Sequence, residues 1–205
     1  MPDLESETTL NHDPGPIVLS EDQQLVLLRA ARKAMEQAVT DSFTMVDEEF
    51  DDEMQKPAAV FVTLWERHQV TPDSDETSRL RGCIGRLQAD FPLYLAIKNA
   101  AISAATRDPR FSPVRPAELD SLTIEIAILS SLETVDTLEE IVIGRDGLVI
   151  EAMGRRGLLL PKVATRLKWD RAEFLQNVCR KAGLADDIWP ESGYLYKFRT
   201  TVFSE

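Results

Sequence analysis

Apolar positions along this chain switch between two periods. From residue 21 they recur at helical spacing, with Leu25, Leu28, Ala31, Met35 and Ala38 on one stripe. Ser20 precedes that stripe as an N-cap, Gln23 sits where a capping-box partner belongs, and Glu21 and Asp22 suit the helix dipole. The pattern fades near Thr40, and the acidic stretch Asp47–Glu53 reads as loop or weak helix. Residues 58–65 (AAVFVTLW) read as a strand rich in Val, Phe and Thr. A polar segment, 66–78, links it to a second strand at 80–87, so the pair predicts a hairpin with a long loop. Asp90–Pro92 opens a helix that runs to about Arg107; its small residues Ala96, Ala100, Ser103 and Ala104 predict close packing against a neighbour. Asp108-Pro109 ends that helix, because the residue before proline avoids helical torsions.

Residues 111–116 read as loop. Beyond them, Leu122, Ile124, Ile126 and Ile128 alternate with Thr123, Glu125 and Ala127, the mark of a half-buried strand. Residues 141–143 and 148–152 flank Gly144-Arg145-Asp146-Gly147 and predict a hairpin; Met153–Gly157 reads as a second turn before Leu158–Leu160. Asp170 caps a last helix with Glu173 as box partner and Gly183 at its end; Phe174, Leu175, Val178 and Cys179 are its buried stripe. Residues 194–203 read as a closing strand. Helices interspersed with strands that need no parallel crossover predict an α+β fold, mostly antiparallel sheet flanked by helices. Residues 1–19 read as a flexible acidic tail and 20–205 as one folded domain.

The formal charge of −12 is local. Residues 1–24 hold six acids and no base, residues 41–56 hold seven acids and Lys56, and the remaining 22 acids balance 22 bases. Within that neutral body, residues 79–115 carry seven bases against two acids and residues 145–171 carry seven against three. A basic cleft favours anionic ligands, whereas the plainer reading is a solvated arginine surface. The acidic segments and the lack of an aromatic-basic motif argue against nucleic acid. The chain holds no apolar run long enough for a membrane span and no secretory leader pattern at its start. Two cysteines make no disulfide framework, so a reducing cytoplasm is the simplest compartment.

The chemistry concentrates in Leu80-Arg81-Gly82-Cys83-Ile84-Gly85. Glycines inside a strand mark a bulge or a close approach by something else. Arg81 has the planar fork that binds phosphate or carboxylate; its alternative is a salt bridge to an acid such as Glu125. Strict alternation would put Arg81, Cys83 and Gly85 on one face. Cys83, between Arg81 and Arg86, is either a thiolate nucleophile or a small buried residue; Cys179, on an apolar stripe, reads as core. Arg107-Asp108-Pro109-Arg110-Phe111 is a second polar knot, in which Asp108 orients an arginine or caps the following loop. Arg155-Arg156-Gly157 reads by default as a turn. His12 and His68 are the only histidines, and a Cys83–His68 dyad is the weaker option. Metal-ligand spacings, nucleophile elbows and phosphate loops are all missing from the sequence, so no metal and no cofactor is assigned.

Leu80–Gly85 resembles the hallmark of the AMMECR family, named from a human chromosomal region linked to Alport syndrome, midface hypoplasia and elliptocytosis. Residues 59–64, 107–111, 122–129, 143–148, 154–163 (GRRGLLLPKV), 169–174 and 179–184 (CRKAGL) also resemble family segments in order, so the likeness covers about 21–205. The short, domain-only form is similar to the prokaryotic AmmeMemoRadiSam branch. The resemblance implies a two-lobed domain with the signature near the cleft between lobes, and association with a Memo-like protein and a radical SAM protein. The acidic insert at 46–53 and the tail depart from the family pattern.

Two readings follow. In the first, the chain is an accessory or ligand-binding component, with Arg81, Gly82, Cys83, Gly85, Arg107, Asp108 and Arg110 around a cleft for an anionic small molecule or partner segment. In the second it is an enzyme, with Cys83 as nucleophile or Arg81 as anion clamp.

Overall fold

The computed structural model describes residues 17–42, 49–67 and 78–205. His12, His68, most of the acidic tail and part of the acidic insert therefore lie outside the described residues. Helix α1, Glu21–Thr40, has the full capping box between Ser20 and Gln23 and ends with Asp41 in a left-handed conformation. The short α2, Asp52–Gln55, is capped by the Asp51 carboxylate. Strands β1, Ala59–Arg67, and β2, Ser78–Arg86, pair antiparallel. Helix α3, Leu93–Thr106, follows, then a 3-10 turn at Pro116–Ser121 and strand β3, Leu122–Leu129. The second half contains β4, Glu133–Thr134; β5, Gly147–Ala152; β6, Arg155–Leu159; α4, Pro161–Arg166; α5, Arg171–Ala182; β7, Tyr194–Phe198; and β8, Thr200–Ser204.

The strands make two antiparallel four-stranded sheets, in orders β2-β1-β3-β8 and β4-β7-β5-β6. Period-two alternation sorts each sheet's side chains between two cores. Val60, Val62 and Leu64 of β1 and Ile124, Ile126 and Ile128 of β3 meet α1 and α3. On the second sheet, Leu148, Ile150 and Leu195 meet Phe174, Leu175 and Val178 of α5. The facing sides join in a smaller core of Ala59, Leu129, Val149, Leu158 and Phe198, with Phe61 and Tyr196 against it. The order is helices, sheet, sheet, helices, an α+β architecture of two lobes whose sheets meet face to face. Among the described residues no helix is long and apolar enough to cross a membrane.

Four local expectations change. Residues 141–143 are not a strand: the Val142 carbonyl accepts from the Arg145 and Asp146 amides, and the Asp146 carboxylate accepts from the Val142 amide, so the segment closes on itself as a turn. The hairpin is β5–β6, turning at Met153 and Gly154, both with positive φ, so Arg155, Arg156 and Gly157 belong to a strand. The closing strand is two strands: β7 pairs in the second sheet, Arg199 intervenes, and β8 pairs in the first. Ile17 and Leu19, assigned to the tail, pack against the first core.

Candidate functional site

β2 is an edge strand, and it is irregular. Leu64 pairs with Gly82 and Trp65 with Leu80, so Arg81 is an extra residue opposite no partner. This bulge breaks the alternation that would have put Arg81 beside Cys83. Arg81 is only 8% exposed. Its Nε donates to Glu118 Oε1 at 2.9 Å and its Nη2 to Oε2 at 3.4 Å, while Nη1 is buried without a hydrogen-bond partner. Glu118 also accepts from the Arg115 amide and Nε. Its pKa falls to about 2, chiefly through the Arg81 hydrogen bond. Arg81 therefore has its acid already, Glu118 rather than Glu125, and ties the 3-10 turn to the sheet.

The two signature glycines answer to packing. A Cβ at Gly82 would overlap the Ala104 carbonyl of α3, and one at Gly85 would overlap the Phe61 ring and the Val60 carbonyl. A side chain at either position would meet protein, so packing holds both positions to glycine.

The Asp-Pro-Arg element docks on the β2 edge. Asp108, 4% exposed, accepts from the Cys83 amide at 2.8 Å, from the Arg110 amide at 3.1 Å, and from Arg110 Nε and Nη2 at 3.0 and 2.7 Å. Arg110 Nη2 also donates to the Cys83 carbonyl at 3.3 Å. Both outward backbone groups of Cys83 are thus satisfied by a loop that acts as a surrogate strand. The Arg110 guanidinium is the main cause that brings the Asp108 pKa down to about 2. Asp108 orients an arginine and caps its loop at once.

On the side facing the second sheet, the Thr63 hydroxyl donates to Cys83 Sγ at 3.3 Å. Lys181, on α5 of the other lobe, lies within electrostatic range of Cys83 and Arg110. Burial lowers the Lys181 pKa most and the Arg110 charge adds to that, with Cys83 acting in the opposite direction. Among the described residues no carboxylate pairs with the Lys181 ammonium. Nearby in the register, Thr63 lies between Cys83 and Glu125; Glu125 pairs with Lys162, whose ammonium sits 5.0 Å from the Trp65 ring centroid. Lys181 had no local signal in the sequence, since only the packing of α5 brings it within electrostatic range of Cys83. Cys179, by contrast, is fully buried, and burial pushes its thiol pKa up.

Arg107 goes elsewhere. It is exposed, and it lines a groove of about 360 Å³ together with Ile84, Gly85, Asn99 and Ser103. The residues singled out in the sequence therefore separate into a buried frame (Arg81, Gly82, Asp108), an interlobe cluster (Cys83, Arg110, joined by Lys181) and a helix-side groove (Gly85, Arg107). Among the described residues no group of three His, Cys, Asp or Glu side chains could hold a metal ion.

This frame matches a known family over most of its length: the AMMECR1 profile covers residues 28–203. The chain belongs to the AMMECR1 family. A Thermofilum pendens protein is 40% identical over 196 residues, spanning 91% of this chain and 92% of the relative. Protein TK0174 of Thermococcus kodakarensis is 43% identical over 187 residues, spanning 87% and 88%. The crystal structure of the uncharacterized protein PH0010 from Pyrococcus horikoshii superposes with a TM-score of 0.81 at 38% identity, covering 91% of this chain and 93% of that one. The Leu80–Gly85 stretch is first a device for building the β2 edge.

Proposed function

We propose that this AMMECR1-family chain is an accessory, ligand-binding component whose interlobe cluster holds a small anion, working alongside a Memo-like protein and a radical SAM protein. The observation that carries this reading is a partly desolvated lysine of one lobe, Lys181, whose charge is felt by Cys83 and Arg110 of the other. Arg110 is committed to Asp108, but Lys181 has no carboxylate partner among the described residues, and its lowered pKa reflects a desolvated charge. An unpaired, partly desolvated ammonium within electrostatic range of a guanidinium is stabilised by a bound anion. The anion-clamp version of the enzyme reading loses support because Arg81 is buried against Glu118. The thiol of Cys83 has a hydroxyl donor in Thr63, an arrangement that serves placement as well as reactivity.

The test is native mass spectrometry of the full chain co-expressed with its Memo-like and radical SAM partners. The wild-type protein should retain a small anionic species, and Lys181→Gln should release it while melting at the same temperature. Retention of the same mass by Lys181→Gln, or the lack of any bound species together with no partner association, would overturn the proposal.

A further inference from the structure

The loop that covers the β2 edge stops one residue pair short. Because Asp108 and Arg110 take the Cys83 amide and carbonyl, Cys83 must direct both groups away from β1. Outward and inward pairs alternate along an antiparallel ladder. The register with β1 is unbroken from Cys83 to Arg86, so Gly85 also directs its N–H and C=O outward, and neither finds a partner among the described residues. Gly85 also lines the helix-side groove of about 360 Å³. Small side chains, Ala58 and Ala100, contribute to its apolar lining. Asn99, Ser103 and Arg107 recur every fourth residue of α3 and its C-cap, forming a polar ridge along the opposite side. Arg86, also in the lining, is engaged by Asp90 at 2.8 Å, whereas Arg107 makes no ion pair among the described residues.

We propose that this groove receives the end of an extended peptide, bearing a free C-terminal carboxylate, from another protein. The peptide adds to β2 as a short antiparallel strand. Gly85 exchanges backbone hydrogen bonds with it, and a small apolar side chain enters between Ala58 and Ala100. Direction and length both follow from the edge. A segment antiparallel to β2 enters from the Arg86 end and runs toward Cys83, where the Asp108–Arg110 loop already occupies the edge. The peptide must stop there, and its terminal carboxylate then lies at Arg107, which neighbours Asp108 in the chain. Edge addition supplies affinity through main-chain bonds, and the carboxylate supplies selection for a chain end. This site is on the helix side of the first sheet, independent of the interlobe cluster.

The experiment is a nitrogen-15 NMR titration of the full chain with acetyl-Ala-Val-Ala-Val carrying a free carboxylate, and with the same peptide as its C-terminal amide. The free acid should shift the Gly85 amide downfield, as expected for an N–H that gains an acceptor. The amide form should bind about tenfold more weakly, the effect of losing one charge-assisted contact. Arg107→Gln should bring the free acid down to the level of the amide form while leaving the melting temperature unchanged, since that side chain is exposed. Equal binding of the two forms, an unmoved Gly85 amide at millimolar peptide, or shifts confined to Arg110 and Lys181 would each overturn the proposal.

Discussion

At Asp108 one buried carboxylate gathers an amide from Cys83 and the amide and guanidinium of Arg110. Its pKa near 2, against an ordinary 3.8, is a stability statement. Glu118 has the same property relative to 4.5. A carboxylate with a depressed folded pKa contributes stability that is fully present above its unfolded pKa and lost as pH falls through the folded value. Both contributions should therefore fade between about pH 5 and pH 2. Asp108→Asn should lower the unfolding free energy at neutral pH by about 2 kcal/mol and flatten the acid limb of stability. Urea unfolding at several pH values checks this; an acid limb as steep as wild type would contradict it. Arg81→Ala should cost about 3 kcal/mol, because Glu118 loses its main partner. A thermal melt of that variant unchanged from wild type would return Arg81 to the list of ligand contacts. The sequence already offered Asp108 as orienting an arginine or capping the following loop, since these residues sit in one short turn. It could not show Glu118 as the partner of Arg81, because that pairing depends on the path of the chain after α3.

Elements whose signals are local came through the sequence clearly. The capping boxes at Ser20–Gln23 and Asp170–Glu173 and the left-handed Gly183 sit where a few neighbouring residues prescribe them. Elements defined by distant partners did not. The bulge at Arg81 is visible only against β1, and the split between β7 and β8 only when two sheets claim one stretch of chain. The run at 141–143 had a strand's composition, but Asp146 supplied a closer partner for its backbone. Close packing of α3 was legible from its small residues, and Gly82 shows the reason: helix backbone lies against strand backbone with no room for a methyl group. Gly82→Ala should force α3 outward and destabilise by about 1–3 kcal/mol. A differential scanning experiment reads the loss, and an unchanged midpoint would mean the helix can move freely, against the contact described.

The whole molecule depends on a modest core between its sheets. Phe198, 1% exposed, fills it so closely that Gly147 has no space for a Cβ beneath the ring. Phe198→Ala should cost about 3–5 kcal/mol and separate the unfolding of the lobes into two transitions. A single transition shifted to lower temperature would mean that other contacts hold the lobes together. The crossing at Arg199 has a temporal side as well. β3 leaves the ribosome long before β8, yet β8 is its neighbour, and Glu205 anchors to Arg32 of α1 and to the Ile124 amide. The first lobe to be synthesised is thus completed only after the second has been made. Until then its β3 edge stands open, a vacancy that a nascent-chain chaperone or a second growing chain could fill first.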